Sequence, residues 1–168
     1  DAVPALNKII AAVNSAGSKV RSLYDMITIN IPAGTYNVKA GGIDPILVSN
    51  VMFDIDKSAN FIGRDGHVFE LGDASNFVEN IWILGGHGEV KVADTPAVSG
   101  VAWVHGVNCA RVFVSRFNCY NWPHLLKITA PSGSIVSTFF FTDIYGLGDP
   151  DFNWFDINTE LAAGAAGL

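Results

Sequence analysis

The chain has 168 residues, 49% hydrophobic and 15% charged, with a net charge of −6 at pH 7. That length suits one domain with a sizeable core. The acidic balance excludes a nucleic-acid binder, which needs a basic stripe to displace counterions, and no apolar run reaches the roughly 18 residues of a membrane helix.

The chain opens on a helical pattern. Val3, Leu6, Ile10 and Val13 fall on one face of a 3.6-residue period. Asp1 is the expected N-cap, Pro4 sits in the first turn and Gly17 is the expected stop. The apolar face is narrow, so this helix is expected to cover the open end of a stack of strands, where bare edges would invite aggregation.

From Ile27 the pattern turns to strands. Ile27-Thr28-Ile29-Asn30-Ile31 runs into a Pro32-Ala33-Gly34 bend and a second strand start at Thr35-Tyr36-Asn37-Val38. Four later segments share one form, a polar residue followed by alternating apolar ones. They are Asn50-Val51-Met52-Phe53, Asn80-Ile81-Trp82-Ile83, Arg111-Val112-Phe113-Val114 and Ser137-Thr138-Phe139-Phe140, spaced by 30, 31 and 26 residues. A recurrence of about 20–50 residues marks a solenoid, whose units bury their apolar sides only by stacking. An antiparallel sandwich is the alternative, with a turn signal every ~8–12 residues.

Alternation assigns faces. Val51, Phe53, Ile55, Ile81, Ile83, Val112 and Val114 are the expected interior. The outer side then carries Met52, Trp82, Phe113 and, with a register open by one residue, Phe139. A column of large apolar residues facing outward needs a cover: a neighbouring subunit, a packed loop or a sugar ring.

The order of helix, Ile31-Pro32-Ala33-Gly34-Thr35-Tyr36 and Phe61-Ile62-Gly63 resembles the N-terminal cap and first rungs of the pectate-lyase-like superfamily of right-handed parallel β-helices. That group includes polygalacturonase-type glycosidases, polysaccharide lyases and phage tailspike depolymerases. Ile83-Leu84-Gly85-Gly86-His87-Gly88-Glu89-Val90 is similar to a Gly-rich bend of polygalacturonase-like chains. Val107-Asn108-Cys109-Ala110-Arg111-Val112-Phe113-Val114 with Phe117-Asn118-Cys119, and Pro131-Ser132-Gly133-Ser134-Ile135-Val136 with Asp143-Ile144-Tyr145, resemble the rungs that follow. The resemblance covers residues 1 to about 157. It implies an all-β fold, a right-handed parallel β-helix with an N-terminal capping α-helix. One domain over 1–168 is expected, with a cap over 1–17, stacked rungs over 27–157 and a small-residue tail over 158–168.

By the same resemblance the chain is a carbohydrate-active protein, a glycoside hydrolase or polysaccharide lyase, extracellular or on a virion surface. The alternative is a non-catalytic structural or adhesive segment, such as part of a trimeric tailspike. The chain departs from the polygalacturonase pattern at Asn153-Trp154-Phe155-Asp156-Ile157, which stands where an Asn-Thr-Asp motif is expected. Gly86-His87-Gly88 comes too early for the family's Gly-His-Gly motif, and the later motifs would lie beyond Leu168. The small apolar run from Leu161 to Leu168 reads as a cut in a longer protein.

Asp149, Asp151 and Asp156 are the candidate catalytic residues. Glycoside hydrolysis needs two carboxylates, about 5 Å apart for retention or about 6.5–9.5 Å for inversion. Phe152, Trp154 and Phe155 beside them would dry the site and raise one carboxyl pKa. A plain Gly/Asp/Pro turn from Gly146 to Asp151 is the alternative. Trp154 and Trp82 are candidates for sugar stacking. Arg116, with Arg111 and Lys127, would line a groove for an acidic glycan, and the planar fork of Arg64 would pair with a sugar carboxylate.

Asp54 and Asp56 share a strand face, where calcium is the one ion they would suit and a solvated surface is the alternative. The histidines His67, His87, His105 and His124 stand 20, 18 and 19 residues apart. That is not metal spacing, so no metal site is expected, although a solenoid can stack a distant pair. Cys109 and Cys119 are expected as buried free thiols. The expected partner is a polysaccharide, with no nucleic acid and no membrane, and a homotrimer is the assembly the tailspike resemblance implies.

Overall fold

The computed structural model describes residues 1–17, 25–38, 42–63, 66–90, 101–120, 124–147 and 155–159. Helix α1 (Val3–Ala16) is followed by β1 (Ile27–Ile31), β2 (Gly34–Val38), β3 (Val51–Gly63), β4 (Phe69–Leu71) and β5 (Val78–Val90). Then come β6 (Ala102–Gly106), β7 (Cys109–Tyr120), β8 (His124–Ala130), β9 (Val136–Leu147) and β10 (Phe155–Thr159). All the strand pairs are parallel, and two sheets stack rung on rung. Sheet A runs β1-β3-β5-β7-β9 with β2 also on β3, and sheet B runs β10-β8-β6-β4. The chain is a parallel β-solenoid. Among the described residues no helix is long and apolar enough to cross a membrane.

Register fixes which residues meet. Val51 pairs with Ile81, Ile81 with Val112 and Val112 with Phe139. The expected interior residues Val51, Phe53, Ile55, Ile81, Ile83, Val112 and Val114 are all buried. The residue before each of these rungs is left-handed: Asn50 (φ 60), Asn80 (φ 58), Arg111 (φ 52) and Thr138 (φ 58). The fourth rung therefore starts at Thr138, one residue later than Ser137. That shift corrects the expected column, since Phe140 and not Phe139 pairs with Phe113. A one-residue slip exchanges the faces of a strand.

Local chemistry explains the bends. Asn tolerates the left-handed region better than most residues. Here it also builds a ladder: Asn80 Nδ2 donates to Asn50 Oδ1 at 2.8 Å, and Trp82 Nε1 donates to Asn80 Oδ1 at 3.0 Å. Arg111 continues the column and ion-pairs with Glu79. At a second bend in the rungs stand Gly85 (φ 89), Arg116 (φ 57) and Asp143 (φ 53). A Cβ on Gly85 would collide with the backbone oxygen of Ile55, so this rung needs glycine there for space as well as for φ.

Helix α1 covers the first rungs, as its narrow face implies. Val3, Leu6 and Ile10 are buried in the same core as the strands. Asp1 acts from one position further out than a regular N-cap, its Oδ1 accepting from the N–H of Val3 at 3.1 Å and of Asn37 at 3.3 Å. Two asparagines one heptad apart hold the segment beneath the helix. Asn7 donates to Gly42 O at 3.0 Å and accepts from Asp44 N–H at 3.0 Å. Asn14 donates to Pro45 O at 2.9 Å and accepts from Leu47 N–H at 3.0 Å.

Each asparagine amide thus stands in for a neighbouring strand. Asn14→Ala is expected to cost about 1–3 kcal/mol, because it strands two part-buried backbone groups. Asn14→Asp keeps the acceptor and is expected to cost less. Urea denaturation of the two variants checks the order.

Candidate functional site

Sheet B has short strands and a polar outer face. Its inward positions are apolar: Phe69, Val104 and Leu126 form one buried column, and Leu71, Gly106 and Ile128 form another. The positions between them face out by strand alternation. They are Glu70, His105 and Lys127, each in register with the next. Three ionisable residues therefore line up across three strands, and the backbone of Asp156 follows Lys127 in register on β10.

The first two make a dyad. His105 Nδ1 lies 3.0 Å from Glu70 Oε2. The hydrogen bond from His105 holds the Glu70 carboxyl below its ordinary range, against the opposing effect of burial. Glu70 is therefore ionised at neutral pH and His105 carries the Nδ1 proton. The other ring nitrogen, Nε2, is buried and has no hydrogen-bond partner.

His67 enters from the loop before β4. Its Nδ1 accepts the N–H of Ala102 at 3.1 Å, which fixes the proton of the neutral ring on Nε2. The ring stacks on His105 with centroids 4.0 Å apart and planes 27° apart. Ala102 is the small residue over which it lies, and the next residue in that column is His124, also buried. Burial, then the neighbouring His105, pushes the His67 pKa down to about 4.

A His whose pKa is lowered in the folded state favours unfolding once the unfolded chain protonates it. Stability is full above about pH 6.5 and falls as pH drops toward 4. With its partial solvent screening the loss is about 2 kcal/mol. His67→Gln is expected to flatten this slope, as read from urea midpoints between pH 7 and pH 4.5, roughly the titration window of the group.

Most of the site residues expected from sequence lie outside the described set. Asp149, Asp151 and Trp154 fall outside the described residues, as does Arg64. Asp156 lies in β10, its backbone in register with Lys127, with its side chain outside the described set. Arg116 is exposed at the second bend of sheet A. Trp82 is also on sheet A, in the outward column. Asp54 and Asp56 are exposed, and Asp56 Oδ1 accepts the Ser58 N–H at 2.7 Å, an ordinary turn contact. Cys109 is a buried free thiol, its pKa raised to about 12 by burial, and so inert.

The aromatic column packs ring on ring. Trp82 stacks on Phe113 at 4.2 Å and 16°, and Phe113 stacks on Phe140 at 4.8 Å and 9°. The ring faces are turned on one another along the stack, and Phe140 at its end is 48% exposed. Sugar stacking needs an open ring face, and the facing sides of Trp82, Phe113 and Phe140 are taken up by one another.

The sheet B cluster was hidden from periodicity. Glu70 and His105 are 35 residues apart, as are His67 and Ala102. The next step in register, His105 to Lys127, is 22 residues. Loops of unequal length feed sheet B, so its columns carry no fixed period. The signal available in sequence was the shared interval of His67–Ala102 and Glu70–His105, legible only once the rungs are aligned. No family model, curated protein or solved structure matches the chain.

Proposed function

We propose that this β-solenoid binds an acidic polysaccharide on the outer face of sheet B and cleaves it by β-elimination. The observation that carries the reading is the Glu70–His105 pair at 3.0 Å with Lys127 next in register. Elimination at a uronate needs a base for the C5 proton and a cation for the carboxylate on which charge builds. Glu70 holds the Nδ1 proton of His105 and so leaves Nε2 as the base. Lys127 meets the carboxylate. The C5–H electrons form the C4=C5 double bond, the C4–O bond breaks and the departing oxygen takes a proton from water. His67 lies over His105, so the productive complex has that ring moved aside.

Hydrolysis needs two carboxylates no more than about 9.5 Å apart. The groups that register brings together on β4, β6 and β8 are one carboxylate, one imidazole and one ammonium, a set that favours elimination. Such a protein works where polysaccharides are, outside the cell or on a virion surface. The test is incubation with uronate-containing and neutral polysaccharides. Ultraviolet absorbance from a 4,5-unsaturated uronate is the expected product signal. New reducing ends without that absorbance would instead identify a hydrolase.

A second reading is a structural or adhesive segment that assembles. Its support is the exposed apolar set on the last rungs: Phe140 at 48%, Tyr145 at 68%, Phe155 at 49% and Ile157 at 52%. Sedimentation decides it, and a clean monomer at micromolar concentration sinks it.

A further inference from the structure

Three donor groups on sheet B come from two successive rungs and can share one cation. One ring nitrogen each of His67 and His105 and a carboxylate oxygen of Glu70 all lie within 4.8 Å of one another. Donors bound at about 2.1 Å to one ion stand roughly 3–3.5 Å apart, so closure asks for shifts of about an ångström. We propose that His67, Glu70 and His105 form a binding site for one divalent first-row transition ion, of which zinc is the representative.

The donor chemistry selects the ion class. Two imidazoles and one carboxylate suit zinc, nickel, copper or ferrous iron. Calcium and magnesium want oxygen donors throughout. The buried Nε2 of His105 has no hydrogen-bond partner, an unfavourable state for a buried polar atom. An ion in the cluster satisfies it.

Binding has three structural requirements. Glu70 must release the Nδ1–H of His105, because a carboxylate held there lies on the far side of the ring from an ion at Nε2. The rings must unstack from their near-parallel arrangement, because ring-nitrogen lone pairs lie in the ring planes. His67 must also exchange the hydrogen bond that its Nδ1 accepts from Ala102 N–H for the ion. Three protein donors leave a fourth position for water or a ligand oxygen. The ion bridges the joint between the loop before β4 and β6, so occupancy staples two rungs. It also removes the His105 nitrogen from proton transfer, so zinc inhibits elimination.

The inference uses the same side chains as the elimination reading, and its test reads binding rather than cleavage. Chelator-treated protein is titrated with zinc chloride by calorimetry and followed by thermal unfolding, with calcium chloride in parallel. One zinc per chain and a rise of several degrees in Tm are expected, with no effect of calcium. His67→Gln and His105→Gln are each expected to weaken zinc by at least about tenfold, and Asp54→Asn to leave it unchanged. Cobalt substitution of the parent protein gives a check free of folding defects: visible absorption bands of a low-symmetry nitrogen–oxygen site are expected. Absence of zinc binding by the parent, absence of those bands, or full-strength binding by a folded His67→Gln/His105→Gln double variant overturns the site. Zinc binding by a protein that, when metal-free, cleaves no glycan supports the metal site and removes the elimination reading; cleavage without zinc binding does the reverse.

Discussion

His105→Gln is expected to lower elimination of a uronate polysaccharide by about 10²–10⁴-fold, the usual weight of a positioned general base. Gln is close to His in size and keeps a polar group against Glu70, so the rung survives. The initial rate of appearance of the unsaturated product is the measurement. Lys127→Met removes the cation and is expected to lower the rate by a similar factor while also raising KM, because the uronate carboxylate is held before the reaction as well as during it. Glu70 acts through His105. Glu70→Gln leaves the ring unanchored and is expected to move the acid limb of the pH–rate profile, a readout that a merely structural role would leave in place. Equal rates in all three variants would remove sheet B from the chemistry.

The second large effect is on stability. Trp103→Ala is expected to cost about 3–5 kcal/mol, read by urea denaturation. Trp103 is fully buried. It meets Phe61 and Phe69 edge-on, at 5.1 Å and 5.2 Å, and stacks on Phe117 at 3.9 Å. Those partners come from β3, β4 and β7, so the indole joins both sheets across successive rungs. The space left by so large a side chain adds a cavity term to the transfer term. Phe140 is the contrast. It is an aromatic of the outward ladder, stacked on Phe113, but it is 48% exposed. Phe140→Ala is expected to cost under about 1 kcal/mol. Comparable losses in the two variants would mean that the outer column, and not the interior, organises the rungs.

These two sides of the molecule differ in how well they can be read from the chain. The interior of sheet A is legible because Asn50, Asn80 and Arg111 mark rung starts at nearly constant spacing, and strand alternation then assigns every neighbour. The fourth start slips by one, since Ser137 and Thr138 are both polar and only backbone φ shows which one makes the bend. The outward column was legible as a column, but its orientation was not. Sequence places Trp82 and Phe113 on one face, yet only ring geometry shows that they cover each other.

Sheet B is the opposite case. Its strands are short, its feeding loops differ in length, and His67 reaches His105 by lying over Ala102 on the next rung. Residues 35 apart acquire a common site only through register. The carboxylates singled out near the chain end, Asp149 and Asp151, rested on loop composition, whereas the dyad rests on contact.

The most direct measurement of the central claim is a binding map. Histidine, lysine and tryptophan side-chain resonances are followed by NMR as a short uronate oligosaccharide is added to the His105→Gln variant, which holds the ligand without consuming it. The prediction is shifts at His67, His124 and Lys127 on sheet B, with the Trp82 indole on sheet A unmoved. Shifts at Trp82 and the aromatic ladder with sheet B silent would contradict the assignment, as would no shift anywhere at millimolar ligand.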